Sequence, residues 1–211
     1  IIHDKAHFWP KGGMEKGDHL LISRPLGTGV IFSAFMNGYV KPYFLDCVLK
    51  EMNNSQHEIV NYINQLKYKN PLQNKVNACT DITGFGLLGH LSEMLESTNN
   101  ERFKTNSEPV KIIIQLNNIP IYKGLKELLD NGFESTLAPS NKYFLRNIDG
   151  DKNLRIELIY DGFQSARLSY NSMLKVLVDP QTCGPLVISC SQAFSDELIK
   201  KGPWKKIGFV S

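Results

Sequence analysis

The residues best suited to chemistry lie in one stretch, residues 79–90, which reads CTDITGFGLLGH. A strand predicted over residues 76–80 ends there in small and polar residues, and a helix is predicted to begin at Phe85 or Gly86. The free amide groups and the positive dipole end of such a helix attract phosphate. Glycines let the backbone approach a ligand closely, and threonines can donate hydroxyl groups to it. The candidates for binding phosphate or a nucleotide are Thr80, Thr83, Gly84 and Gly86.

Asp81 lies in the middle of this loop, where a carboxylate would repel a bare phosphate. The carboxylate fits if Mg²⁺ lies between the two, because Mg²⁺ binds one or two carboxylates together with phosphate oxygens. The loop therefore predicts a metal–phosphate site with Asp81 as the metal ligand. The alternative is a tight turn between strand and helix in which Asp81 or Thr83 caps the helix. The residues alone leave both interpretations open.

The same loop also spells G-x-G-x-x-G, at Gly84, Gly86 and Gly89. A dinucleotide site requires in addition an acidic residue about 20 positions on, after the second strand. The nearest acid, Glu108, precedes the strand predicted at residues 110–116, and two asparagines follow that strand. The sequence therefore does not favour a nicotinamide dinucleotide site.

A second polar turn, residues 178–185 (VDPQTCGP), connects two predicted strands. Asp179, Gln181 and Thr182 could line a polar site, but the Asp-Pro and Cys-Gly-Pro steps are typical of turn structure. Cys183 could be a nucleophile, yet no helix start or base is evident beside it. The pattern favours a structural role for this turn.

Three further features carry weaker signals. Residues 27–29 (GTG) open a predicted helix and form a second, weaker candidate for a phosphate loop. His90 could face the first loop, although a surface or packing histidine is the favoured interpretation. The spacing of His3 and His7 could place two metal ligands on one helix face, but Pro10 disfavours a helix there.

Composition excludes several classes of protein. The 211 residues are 42% hydrophobic and 21% charged, with a net charge of +3, which is typical of a folded domain rather than a disordered chain. No apolar run approaches the ~18 residues of a membrane span, and no basic cluster suggests a nucleic-acid partner. Four widely spaced cysteines indicate neither a disulfide scaffold nor a zinc knuckle; we expect reduced thiols in the cytoplasm. They are Cys47, Cys79, Cys183 and Cys190.

Mixed strand and helix signals predict one α/β or α+β domain over residues 18–211, preceded by a connector over residues 1–17. Predicted strands are 19–23, 76–80, 110–116, 154–159, 173–178, 185–190 and 205–210. Predicted helices are 28–40, 42–53, 55–67, one from residue 85 or 86, 122–131 and 191–201. Two polar stretches, residues 97–109 and 139–153, are expected to be connections, with solvent loops near 97–107 and 142–153.

Residues 79–90 closely resemble a signature of the selenophosphate synthetases (selenide, water dikinases). A shorter form of this loop is shared by relatives such as aminoimidazole ribonucleotide synthetase, whereas Phe85 and the LLGH ending point to the selenium branch. Further segments agree in order along nearly the whole chain. They are residues 17–18, 24–29, 132–141, 179–182 and 207–208.

The resemblance implies an aminoimidazole ribonucleotide synthetase C-terminal-like domain, with a mixed β-sheet and helices packed mainly on one face. The family converts ATP, selenide and water to selenophosphate, AMP and phosphate, using Mg²⁺ and acting as a homodimer. Asp81 matches the aspartate that this domain contributes to Mg²⁺. The residues 1–17 would connect to a missing N-terminal ATP-binding domain, which supplies the reactive Cys or selenocysteine and a Lys. No catalytic residue is then expected in this chain, which alone would be inactive and bind ATP weakly.

One departure and two alternatives accompany this resemblance. The family commonly continues the DPQT motif with Ser-Gly-Gly, whereas this chain has Cys183-Gly184-Pro185, and Pro185 lacks a backbone N–H. One alternative is a synthetase or a thiamine-phosphate kinase of the same superfamily. The other is a non-catalytic paralogue that serves dimerisation or regulation.

Overall fold

A computed structural model of the chain describes residues 9–70, 75–162 and 168–211. The strands of these ranges form one mixed sheet in the order β2-β5-β1-β6-β3-β4. They are β1 (His19–Ile22), β2 (Val76–Asp81), β3 (Ile112–Gln115), β4 (Ile156–Ile159), β5 (Leu186–Cys190) and β6 (Lys205–Val210). The helices are α1 (Thr28–Met36), α2 (Pro42–Asn53), α3 (His57–Lys69), α4 (Gly86–Lys104), α5 (Leu125–Asp130), α6 (Ala138–Asn141), α7 (Tyr170–Val178) and α8 (Gln192–Lys201).

The sheet is antiparallel except for the pair of β3 and β4, which is parallel. β1 lies inside the sheet, and all four of its residues are buried. Leu20 and Ile22 belong to the larger hydrophobic core, and Leu21 belongs to a smaller core that includes side chains of α3 and α8. Because both faces of β1 are covered, its sequence is a continuous apolar run rather than an alternating one.

Helices pack mainly on one face of the sheet. Side chains of α1, α2, α4, α5 and α7 join the larger core, whereas α3 and α8 pack against the smaller one. The predicted fold, a mixed sheet with helices mainly on one face, is therefore confirmed. Within the described ranges, no helix combines the length and the apolar composition that crossing a membrane would require.

The predicted strand at residues 173–178 is wrong, because these residues belong to α7. A short apolar run fits a buried strand and a buried helix equally well. The missed signal is Ser169, whose hydroxyl oxygen accepts a hydrogen bond from the amide of Ser172 at 3.2 Å and so caps the helix. α7 contributes Met173, Val176 and Leu177 to the larger core.

The predicted connection at residues 97–109 is also wrong over its first half, since α4 continues to Lys104. The buried positions there are occupied by Thr98 and Asn99 rather than by apolar residues, which removes the hydrophobic period. Thr98 Oγ1 accepts from the amides of Gly13 and Met14 at 3.1 and 3.3 Å. The Asn99 amide group exchanges two 2.9 Å hydrogen bonds with the backbone of Val110.

Part of the expected solvent loop at residues 142–153 is instead a 3₁₀ segment, Lys142–Asn147. Asn147 is buried, and its side chain donates to Ser92 Oγ of α4 at 2.8 Å. The described part of the predicted connector, residues 9–17, lies against the domain, because the carbonyl of Pro10 accepts from the amide of Cys79 at 2.8 Å. The candidate metal ligands His3 and His7 lie outside the described residues.

Candidate functional site

β2 is an edge strand, and its last residue, Asp81, is exposed. Asp81 stands opposite Leu186, the first residue of β5, and the preceding Thr80 is buried. The side chain of Ile82 belongs to the larger core, and its burial fixes the position of the chain between the strand and α4. The strand end and the helix start predicted around Asp81 are thus confirmed.

Three hydrogen bonds hold the loop between β2 and α4. One of them uses an amide of the loop as donor, and the other two use loop carbonyls as acceptors. The amide of Ile82 donates to the carbonyl of Pro185 at 2.8 Å, and the amide of Gln181 donates to the carbonyl of Thr83 at 3.0 Å. The Asn141 side chain donates to the carbonyl of Gly84 at 2.7 Å. These contacts fix the loop against the turn before β5 and against α6.

The amide groups of Thr83, Gly84 and Phe85 remain available to a ligand. All three residues are exposed, and none of the residues that the structure describes accepts a hydrogen bond from their N–H groups. They lead directly into α4, a helix of 19 residues whose dipole adds positive potential at this end. The arrangement can therefore bind an anion through backbone amides.

The two glycines of this loop have different physical roles. Gly86 has a φ of 71°, and a Cβ there would lie 2.8 to 3.0 Å from the backbone of residues 177–179. Gly86 is therefore required for packing α4 against the end of α7. Gly84 has open space around its position, with nothing within 4 Å. The structure thus assigns a packing role to Gly86 and leaves Gly84 free to face a ligand.

His90 contacts this loop, although the sequence favoured a surface or packing role. It is buried, and its Nε2 lies 3.1 Å from Thr83 Oγ1. Its Nδ1 lies 3.0 Å from Glu93 Oε2, which is also 2.8 Å from Lys11 Nζ. Partial burial opposes ionisation of Glu93, but the hydrogen bond and charge of Lys11, with the contact to His90, lower the pKa of this carboxyl below its usual value.

The start of α1, by contrast, is closed by side chains of the DPQT turn. Gln181 Oε1 accepts from the amides of Gly27 and Thr28 at 3.0 and 3.2 Å. Asp179 Oδ2 accepts from the amide of Gly29 at 3.1 Å. Because the protein itself supplies these acceptors, the prediction of a second phosphate loop at residues 27–29 is wrong. The structural role predicted for the DPQT turn is confirmed.

Asp179 is fully buried, and burial raises the pKa of its carboxyl from about 3.8 to about 7, although hydrogen bonds from Gln181 and from the backbone of Gly29 and Val30 oppose this shift. Its Oδ1 has no hydrogen-bond partner in the described part of the chain. An ionised carboxylate would leave that oxygen charged and unsolvated, which explains the direction of the shift.

The four cysteines are free thiols. Burial, and secondarily the charge of Asp81, raises the pKa of Cys79 to about 12, so this thiol next to the loop is not an activated nucleophile. Cys190 is buried, and burial likewise raises its pKa. Cys183 is exposed at the tip of its turn, with a φ of 48°, and its carbonyl accepts from Arg24 Nη1 at 3.0 Å.

A metal ion at this site would need ligands from outside the described chain. Among the described residues, no group of three or more His, Cys, Asp or Glu side chains could enclose a metal ion. The exposed carboxylate of Asp81 is a hard oxygen ligand of the kind that Mg²⁺ takes singly, together with water and phosphate oxygens. The residues present therefore fit a shared Mg²⁺ site and do not fit a complete protein cage.

Fold and loop together define a class of protein: an α/β domain whose mixed sheet brings a carboxylate and an open helix start to one edge. The chain belongs to the AIR synthase related proteins, whose C-terminal domain matches residues 15–201. The selenide, water dikinase of Treponema denticola is 32% identical over 175 residues, which are 83% of this chain and 40% of that protein. The resemblance noted in the sequence is thereby confirmed, and the chain spans less than half the length of this curated relative.

Solved structures of low sequence identity share the fold. Thiamine monophosphate kinase from Aquifex aeolicus matches with a TM-score of 0.52 and 13% identity, over 97% of this chain and 51% of that chain. The hydrogenase maturation protein HypE in complex with ATP also matches with a TM-score of 0.52 and 13% identity, over 96% of this chain and 44% of that chain. At these identities the comparison establishes the architecture.

The two glycines provide a first test of the site. Gly86→Ala should lower the free energy of unfolding by roughly 2–4 kcal/mol, because the new Cβ meets backbone and the positive φ becomes strained. Gly84→Ala should change it by less than about 0.5 kcal/mol, because its position is open. Urea unfolding of both variants measures the difference, and equal losses would contradict these separate roles.

Asp179 provides a test through pH. Its pKa is about 7 in the folded chain and about 3.9 when unfolded. Between these values the folded state binds more protons, so ionisation of Asp179 costs stability as the pH rises from about 4 to about 7. Asp179→Asn cannot ionise and retains an oxygen acceptor for Gly29. Its stability relative to the native chain should therefore improve across this range by roughly 2–4 kcal/mol.

Urea unfolding at several pH values measures this change, with Asp46→Asn as the control because Asp46 is exposed on α2. The control should follow the native profile. If Asp179→Asn also ran parallel to the native profile, the raised pKa of Asp179 would be contradicted.

Proposed function

We propose that this chain is the C-terminal domain of a selenide, water dikinase, which makes selenophosphate from selenide, ATP and water and releases AMP and phosphate. The observation that carries the proposal is the loop after β2, where an exposed carboxylate precedes three exposed residues whose amides have no acceptor in the described chain. The name of the relative from Treponema denticola, selenide, water dikinase, supports this reaction. The match to AIR synthase related proteins supports the class of enzyme.

In this proposal Asp81 holds Mg²⁺, and Thr80, Thr83, Gly84 and Gly86 form the phosphate- or nucleotide-binding loop. Bound Mg²⁺ would neutralise phosphate charge and so remove the repulsion between the phosphates of ATP and the Asp81 carboxylate. The backbone amides at the start of α4 bind phosphate oxygens, and Thr83, an exposed residue, lies beside them. Thr80 and Gly86 are buried, so these two residues act by shaping the loop rather than by touching the ligand.

The remaining parts of the reaction are assigned to a preceding domain. We expect an N-terminal ATP-binding domain, joined through residues 1–17, to provide the reactive Cys or selenocysteine, a Lys and further metal ligands. A shared Mg²⁺ site accounts for the single carboxylate that this chain offers at the loop. The complete protein is expected to be a cytoplasmic homodimer, and the isolated chain is expected to be inactive and to bind ATP weakly.

The reaction can be tested by ³¹P NMR of the full-length protein, incubated without oxygen with Mg-ATP in the presence and absence of selenide. We expect selenophosphate, AMP and phosphate to form only with selenide. Asp81→Asn should reduce the rate at least about 100-fold, since it removes a charged metal ligand. ADP formed without selenide would instead indicate a kinase or synthetase of the same superfamily.

Asp196→Asn is the matched control, because Asp196 is exposed on α8, which packs on the opposite face of the sheet. This variant should keep the native rate. A folded full-length protein without any turnover would favour a non-catalytic paralogue, and an active Asp81→Asn variant would remove Asp81 from the metal site.

A further inference from the structure

A chain of side chains leads from the exposed loop into the protein. Thr83 Oγ1 lies 3.1 Å from His90 Nε2, and His90 Nδ1 lies 3.0 Å from Glu93 Oε2. Glu93 in turn pairs with Lys11 at 2.8 Å. Thr83 is exposed at one end, whereas His90 is buried between it and Glu93. The proposed function assigns a role to Thr83 but does not use His90 or Glu93.

The hydrogen bonds of this chain restrict where its protons can be. Glu93 is held ionised by Lys11 and His90, so its oxygens only accept. The proton of Nδ1 must therefore point at Glu93. A neutral His90 then has a bare Nε2, which accepts the hydroxyl proton of Thr83. In this state the single hydroxyl proton of Thr83 is donated to His90, so only the lone pairs of Oγ1 face a ligand and the hydroxyl cannot donate to it.

A dianionic phosphate group only accepts hydrogen bonds, and so it requires the opposite orientation of the hydroxyl. When Thr83 donates outward, its oxygen presents a lone pair to Nε2, and this contact is favourable only if Nε2 carries a proton. Resting on the proposed function, we propose that His90 is a positioning residue. Held by Glu93, a protonated His90 favours the orientation in which the Thr83 hydroxyl donates to the ligand. Binding of a phosphate group at this loop is therefore accompanied by the uptake of one proton at Nε2 of His90.

The charged groups that described contacts place at His90 are Glu93 and Lys11. Glu93 contacts the ring directly and Lys11 stands behind it, while the Phe85 ring, 5.6 Å away, is uncharged. Other charged residues lie on the elements that pack near α4, but they contact other side chains or lie at the exposed end of the loop. They are Asp81 at the exposed end of β2, Lys142 and Lys175 in ion pairs with Glu134, and Arg146 over the Tyr143 ring.

The test uses sulfate as the probe, because sulfate only accepts hydrogen bonds and does not itself titrate near neutral pH. NMR of the ¹⁵N-labelled full-length protein, at a mildly alkaline pH, follows the His90 nitrogens and the loop amides. Without sulfate, we expect a proton on Nδ1 and none on Nε2. With sulfate, the amides of residues 83–85 should shift and Nε2 should become protonated. Because binding would take up one proton, sulfate affinity should fall by up to about tenfold for each unit by which the pH rises.

Two conservative variants separate this role from a structural one. Thr83 is exposed, so Thr83→Val and Thr83→Ser should both fold. Thr83→Val should lose the protonation of His90 on sulfate binding and the steep pH dependence, with roughly tenfold weaker affinity. Thr83→Ser should retain the protonation of His90, the steep pH dependence and the sulfate affinity, because serine keeps the hydroxyl.

The outcomes distinguish this inference from the proposed function. Amide shifts without protonation of Nε2 would overturn the role of His90 and leave the phosphate loop in place. A proton found on Nε2 of His90 in the sulfate-free chain would also overturn it. The absence of any shift in the amides of residues 83–85 would overturn the phosphate loop itself, and the proton uptake with it.

Discussion

The turn between α7 and β5 determines which helix start a ligand can reach. Side chains of Asp179 and Gln181 satisfy the amides at the start of α1. The same turn holds the loop after β2 through one amide and one carbonyl, at Gln181 and Pro185, and leaves the amides of residues 83–85 unused. A buried donor without an acceptor costs about 1–3 kcal/mol, so α1 requires these side chains to fold. One helix start is therefore structural, and the start of α4 is open.

Most of the fold could be predicted from local pattern. β6 and α2 have the predicted limits, and β1 differs by one residue, because apolar runs and turn residues mark these elements clearly. The failures share a cause: α7 is as apolar as a buried strand, and the end of α4 is as polar as a loop. Near the end of α4 two polar side chains are buried, because Thr98 and Asn99 bind the backbone of other segments. Such contacts depend on the assembled tertiary structure and leave no periodic signal in the sequence.

The candidate site was predictable in position and only partly in its contacts. The order of strand, carboxylate, glycines and helix predicted that Asp81 ends the strand and that Gly84 lies in the loop before α4, because that order depends on neighbours in sequence. The closure of α1 was not predictable, because Gln181 lies more than 150 residues from Gly27. His90 was named as a residue that could face the loop, but its partners were not predicted. It lies seven residues after Thr83, close to two helical turns, and that spacing from an exposed hydroxyl was the available signal.

The side chains behind the loop also connect it to residues 9–17. Lys11 belongs to residues 9–17, and its ion pair with Glu93 joins this segment to the residue that orients His90. A change of charge on His90 therefore changes the strength of the ion pair between Glu93 and Lys11. Because such coupling is reciprocal, the position of residues 9–17 also affects the affinity of the loop for a ligand. The Lys11 side chain is 47% exposed, and ion pairs of this kind contribute at most about 1 kcal/mol. The coupling can thus adjust affinity at the loop about fivefold, but it cannot switch the site on or off. In the proposed site, any stronger control must therefore come from contacts other than this ion pair.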